Sequence, residues 1–218
     1  FAAALSAPGL DADEECYARF QRAQSVFKQR QRARSAPLFE EAVKACAKTK
    51  NASLQTQSAY QAGRAYTYSY DVDKNAAQKA IARFARAATW NPTHSFSDDA
   101  RMREAEVWQR LADENQPDAA DKVTDLLSTL PDLFPTGDMR AEALWRLAWR
   151  AYRAGDFAQA ITWLDKQIAV VGHDYNYFAE GQAYYWKGRA YTKLGDSARA
   201  LSAYEDAVTH YPLSYYAL

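Results

Sequence analysis

The 218 residues carry 27 Lys+Arg against 27 Asp+Glu, so the whole chain offers nucleic acid or an anionic membrane no net electrostatic attraction. Hydrophobic residues make up 48% with only 8 Gly and 7 Pro, which excludes a disordered composition and a turn-rich all-β one. No apolar run approaches the roughly 18 residues of a membrane-spanning helix, whereas aromatics reach 14%, a heavy load for a scaffold and a sign of a contact surface.

Residues 1–12 are small and punctuated by Pro8 and Gly9, as in a tail or the remnant of an upstream element. Asp11, Asp13, Glu14 and Glu15 then supply an acidic first turn, and Cys16, Phe20, Ala23 and Phe27 follow at helical spacing, predicting a helix to about Arg32. The basic cluster Lys28, Arg30, Arg32 and Arg34 reads more simply as a solvated helix end than as an anion site. Ser35 as N-cap, with Pro37 in the first turn, predicts a second helix carrying Leu38, Val43 and Cys46 and ending near Thr49. Cys16 and Cys46 then lie near the same end of an antiparallel hairpin. A disulfide fits there; two small buried thiols fit as well, because helix counting leaves them a few residues apart in level.

A second pair opens near Ser53. Gly63 has Ala59 four residues before and Tyr66 three after, a lengthened DVDKN turn follows, and Ala80, Phe84, Ala87 and Pro92 complete the pattern. Ser97 or Asp98 caps the next predicted helix, with Ala100, Ala105, Trp108 and Leu111 on one face, and Ala119, Val123, Leu126, Leu127 and Leu130 form its partner before Pro131. Asp138 is placed to cap a helix starting at Met139, and the stretch RAEALWRLAWRAYRAGDFAQAITWLDKQ then repeats at 40-residue spacing: Gly155-Asp156 matches Gly195-Asp196, Ala148 matches Gly188, and Ala160 and Leu164 match Ala200 and Tyr204. Gly172 is where that second helix can end. The last pair, Ala183 to Pro212, has the spacing of a tetratricopeptide repeat, in which small Gly188 and Ala200 let two helices approach and Tyr184, Tyr191 and Tyr204 fill the gaps.

The expectation is therefore an all-α fold of antiparallel helix pairs stacked as a tetratricopeptide-like superhelix, with pairs at about 13–49, 53–91, 98–131, 139–171 and 179–211. After Pro212 another apolar segment begins, which suggests a chain cut from something longer.

ALWRLAWRAYRAGDFAQA, then AYYWKGRAYTKLGDSARA, then HYPLSYYAL resembles the superhelical region of the soluble lytic murein transglycosylases, in which these three motifs occur in this order upstream of the catalytic domain. The resemblance covers Glu142 to Leu218 best and extends from Asp98. It implies a periplasmic domain that scaffolds or binds peptidoglycan, as glycan strand or peptide stem, for a lysozyme-like catalytic domain beyond residue 218. That family's catalytic Glu-Ser motif does not occur in this chain, so no catalytic residue carries over. A tetratricopeptide-type adaptor that binds proteins or peptides is the alternative.

The residues themselves support no other chemistry. Glu104, Glu106, Asp98 and Asp99 read as solvated or capping carboxylates rather than a glycosidase pair. His94, His173 and His210 fall far apart in loops or at helix ends and do not suggest a metal site, and no nucleotide, cofactor or nucleophile motif occurs. What remains is a surface. In stacked pairs the first helix lines the inner face, and residues three before and one after the small residue point into it. That selects Tyr185 and Arg189 around Gly188, Trp145 and Trp149 around Ala148, and Tyr60 and Arg64 around Gly63, with Trp186, Arg146 and Gln61 beside them. Aromatic faces next to arginine suit sugar rings, extended peptides or carboxylates.

Overall fold

A computed structural model describes residue 5, residues 9–171 and residues 180–217. Gly172 and His173 lie outside the described residues, as do residues 1–4 and 6–8 of the expected tail. The described chain is helical throughout: α1 (Ala12–Lys28), α2 (Arg32–Cys46), α3 (Ala52–Thr67), α4 (Ala76–Trp90), α5 (Ser97–Asp113), α6 (Ala119–Leu133), α7 (Arg140–Arg153), α8 (Phe157–Val171), α9 (Gln182–Lys193) and α10 (Ser197–His210), then a short 3-10 turn, Tyr215–Ala217. It forms two compact units, Phe1–Leu126 and Leu127–Leu218. In the first, α1 to α5 each pack on their sequence neighbours; in the second, α7 to α10 do the same, so the all-α architecture of stacked adjacent helix pairs is what the sequence predicts.

One local device ends four of these helices. After α7, Gly155 turns left-handed (φ 81), its N–H donates to the Tyr152 carbonyl at 3.1 Å and the Asp156 N–H to the Ala151 carbonyl at 3.0 Å. Gly195 after α9 repeats this with Thr192 and Tyr191. Asp156 and Asp196 then cap the next helix, accepting from the backbone N–H of Gln159 and Arg199, each at 3.0 Å. The glycine stops one helix and the aspartate starts its partner. The same bonds close α1 at Arg30 (φ 63) and α5 at Asn115 (φ 60), where no glycine marks the place.

That early closure is why α1 stops at Lys28 rather than near Arg32. The helical ladder restarts at once, the Ser35 N–H donating to the Gln31 carbonyl at 3.1 Å. Ser35 is therefore inside α2 and buried, its hydroxyl donating to the Arg32 carbonyl at 2.6 Å, and Pro37 lies beyond the first turn. Ser97 and Asp98 are likewise not the caps expected. The N-cap of α5 is Phe96, and the Ser97 hydroxyl instead donates to the Asn91 carbonyl at 2.6 Å, tying the start of α5 to the end of α4. The N-cap of α7 is Met139, one residue past Asp138, and α6 runs through Pro131 to Leu133.

Within a pair, a small residue on the first helix receives a large one from the second. A Cβ added to Gly63 would lie 2.6 Å from the Phe84 ring, and one on Gly188 would lie 2.6 Å from the Tyr204 ring. Ala148 and Leu164 share one core cluster in the equivalent place. Counting back seven residues from Arg30, as Ala148 stands to Gly155, gives Ala23, and the partner position is Phe39; both are fully buried. Phe39 meets Phe20 and Phe27 at 6.0 and 6.1 Å between ring centroids. Cys16 and Cys46 are joined by a disulfide, Cα–Cα 4.6 Å, at the far end of the same hairpin.

Two stability outcomes follow from this packing. Gly63→Ala gains about 1 kcal/mol of helix propensity but forces a methyl into the fully buried Phe84 ring at a cost of roughly 1–3 kcal/mol. Urea unfolding should show a net loss, larger than that of Gly188→Ala because Tyr204 is half-exposed and can swing aside; an equal or smaller loss at Gly63 contradicts this packing. Removing the disulfide by Cys16→Ala with Cys46→Ala frees a 30-residue loop and should lower the stability of the first unit by ~3–4 kcal/mol, read as a shift of the denaturant midpoint.

Candidate ligand-binding faces

In the second unit, Trp145, Trp149 and Tyr152 recur on one face of α7, and their rings stack in series: Trp145 on Trp149 at 5.7 Å and Trp149 on Tyr152 at 5.8 Å, with interplanar angles of 22° and 5°. Trp186 of α9 stands edge-on to this stack, 4.9 Å from Trp149 and 5.1 Å from Tyr152. Tyr185 meets Trp186 edge-on at 5.7 Å and also contacts Tyr204 and Tyr216. The gap bounded by Trp145, Ala148, Trp149, Tyr152, Leu164 and Trp186 has no room for water, so a ligand would lie across this stack rather than enter it. Arg189 sits 5.4 Å from the Trp186 ring centroid and donates to the Tyr185 hydroxyl at 3.0 Å. It forms no ion pair among the described residues. Arg146 is held along its own helix by Glu142 at 2.8 Å. Trp145, Trp149, Tyr185, Trp186 and Arg189 are thus brought together, and all are half-buried.

The first unit treats its three candidates differently. Tyr60 is only 6% exposed and Gln61 8%, so neither presents a face to a ligand. The Tyr60 ring is stacked on Phe96 at 4.8 Å and packs beside Phe84, because the connection between α4 and α5 carries Phe96 over it. Gln61 accepts from Arg64 Nη1 at 3.2 Å. Arg64 itself lies over the Phe27 ring at 5.3 Å and reaches a cleft of about 240 Å³. The cleft is lined from α3 by Arg64 and Thr67, from the following turn by Tyr68 and Tyr70, from α4 by Phe84, and from α5 by Arg103, Glu106, Val107 and Arg110.

Tetratricopeptide repeat is the family description that matches residues 181–212, the last helix pair. The described chain has a tetratricopeptide-like helical-repeat fold. Solved structures with the same fold include MamA protein, 15% identical with a TM-score of 0.59 over 91% of this chain and 92% of that one. YrrB, described as a TPR protein with an unusual peptide-binding site, is 15% identical with a TM-score of 0.54 over 99% and 94%. BtubC (BKLC) from P. vanneervenii is 12% identical with a TM-score of 0.55 over 93% and 91%. No curated protein matches the sequence.

No group of His, Cys, Asp and Glu able to hold a metal ion occurs among the described residues of this repeat protein, and none of its described helices is long and apolar enough to cross a membrane. His94 and His210 lie in different units; Nδ1 of His94 accepts from the Phe96 N–H at 3.0 Å, and burial pushes its pKa down. Glu104 and Asp98 are not the solvated carboxylates the sequence suggests: they are 7% and 4% exposed. Burial pushes the Glu104 carboxyl up, against the opposing charge of Arg101, whose Nη1 is 4.0 Å away, and a hydrogen bond from Trp108.

Sequence reasoning missed Tyr152, Arg103 and Arg110. Tyr152 was available, since it follows Trp149 by three residues on the same helical face. Arg103 and Arg110 were not: Trp108 occupies the place, seven before Asn115, where other pairs carry a small residue, so the register of α5 had no landmark.

Because the folded Glu104 carboxyl is raised above its ordinary 4.5, the wild-type advantage of a neutral group there is complete below that value and is lost as pH rises through the folded one. Glu104→Gln should therefore unfold like wild type at pH 4 and be more stable at pH 7, with Tm measured across that range; a difference independent of pH contradicts the burial of the charge.

Proposed function

We propose that this chain is a binding module for protein or peptide segments, recognised on the faces of the first helices of its pairs. The observation that carries the reading is the α7–α9 face of the second unit, where a stack of half-buried Trp and Tyr rings adjoins Arg189, a guanidinium with no carboxylate partner among the described residues. Rigid rings supply contact area at low entropic cost, and an unpaired guanidinium seeks a carboxylate or carbonyl. A tetratricopeptide-like fold with a structural neighbour described as having a peptide-binding site agrees with a binding role.

A second reading, peptidoglycan binding beside a catalytic domain in the periplasm, is favoured by the ordered W-R-x-x-W, Y-W-x-G-R and Y-P-x-S-Y-Y motifs. The Cys16–Cys46 disulfide supports an oxidising compartment. Stacked indole rings suit sugar faces as well as peptides.

Selection from a random peptide library against the whole chain tests the first reading, and retention on purified sacculi the second. Selected peptides should bind at least tenfold more weakly to Tyr185→Ala with Arg189→Ala, provided circular dichroism shows the fold retained. Failure to select any peptide refutes the first reading. Retention on sacculi lost in the same double variant, without glycan cleavage, would establish the second instead.

A further inference from the structure

We propose that the cleft of the first unit is a separate carboxylate-binding site, which takes an acidic side chain of an extended peptide. This deepens the peptide-binding reading and rests on it.

Three arginines line the cleft, Arg64 from α3 and Arg103 and Arg110 from α5, against one lining carboxylate, Glu106. Glu106 is engaged by Arg103 Nη1 at 2.7 Å, and Arg110 Nε meets Glu114 at 3.0 Å outside the lining. Arg64 makes no ion pair among the described residues; its polar contact is the neutral Gln61 amide at 3.2 Å. The lining therefore carries a net positive charge, in a recess where an unpaired guanidinium interacts more strongly with an anion than it would on an open surface.

Two of these cations, Arg110 and Arg64, also lie against rings. Arg110 lies 4.0 Å from the Tyr70 centroid, Arg64 5.3 Å from Phe27 and 5.9 Å from Tyr60. Arg32, another arginine without an ion pair among the described residues, lies 4.5 Å from the Tyr68 ring, itself part of the lining. Stacking fixes the guanidinium plane and leaves its N–H edge for a ligand, so little rotamer entropy remains to be lost on binding. Planar, pre-oriented guanidinium edges match a planar carboxylate.

The volume, about 240 Å³, is below the ~300–1,000 Å³ of pockets that enclose whole small molecules. It suits one side chain projecting from a peptide that runs along the surface. The accessible Tyr68 and Tyr70 rings of the lining offer apolar surface to the methylenes of such a side chain.

Calorimetric titration of the whole chain with acetyl-hexaglutamyl amide, acetyl-hexaglutaminyl amide and inorganic phosphate tests this. The glutamyl peptide should bind at least tenfold more tightly than the glutaminyl one, and its affinity should fall with added salt. Arg64→Gln and Arg110→Gln should each weaken it at least fivefold, whereas Arg199→Gln, which removes one positive charge from an exposed ion pair in the second unit, should leave it unchanged. Equal affinity of the two peptides, or equal loss in all three variants, overturns the proposal. Phosphate displacing the glutamyl peptide at equal concentration would make this a phosphate site and overturns the carboxylate assignment. If library peptides still bind wild type while the glutamyl peptide does not, this site fails and the general peptide-binding reading stands.

Discussion

The contact on which this fold depends is the meeting of one small and one large residue across a helix pair, present in both units. Gly63 with Phe84 and Gly188 with Tyr204 show it most directly, since even a methyl on either glycine would collide with a ring. Isolated helices of 12 to 17 residues, the range seen for α9 and α1, are marginal in water, so these pairs exist because they pack. The small residue permits close approach; the large one turns that approach into buried area. Ala148 with Leu164 and the buried Ala23 and Phe39 keep the same division of labour with a methyl in place of hydrogen.

Close approach requires both helices to enter at the right level, and the turn between them sets that level. The Gly155-Asp156 and Gly195-Asp196 connections do this with two residues each, a left-handed stop followed by a side-chain cap. Arg30 and Asn115 adopt the same backbone without glycine; asparagine enters that region readily, whereas at Arg30 the turn is imposed by the packing on either side rather than chosen by the local sequence. The α3–α4 turn shows the opposite freedom. It is lengthened by several residues, yet Gly63 still faces Phe84, since an insertion confined to a turn leaves the helical faces in register.

These facts explain what the sequence disclosed. Wherever glycine and aspartate both stood at the turn, the pair and its small-to-large contact were legible, as for α7 with α8 and α9 with α10. Where Arg30 stands in place of glycine, the pattern runs α1 on to about Arg32 and offers Ser35 as a cap, because a left-handed arginine has no sequence signature. Ser97 carried the right residue type for a cap but bonds backward to Asn91, a tertiary choice that local pattern cannot express. On the candidate faces, Trp145, Trp149, Trp186 and Arg189 adjoin one another as their spacing implies, whereas the cover that Phe96, from outside the pair, places over Tyr60 has no signal in the spacing.

The covered Tyr60 and the open Arg64 show how binding and folding divide the same helical face. Aromatic residues at inner positions are drawn into the interior whenever a neighbouring element offers a ring, as Phe96 does for Tyr60 and Trp186 does for Trp149. Arginines at those positions cannot follow, since burying an unpaired charge costs far more than the area gained. They stack on the rings instead and stay at the surface, which is what Arg64 does over Phe27 and Arg189 over Trp186. Burial thus sorts the face by chemistry: the rings become the floor and the guanidiniums remain accessible above it. On the proposed reading, a substitution of a ring would weaken fold and binding together, while a substitution of an arginine would weaken binding with the fold intact, so the arginines are the residues through which the proposed recognition can be separated from stability.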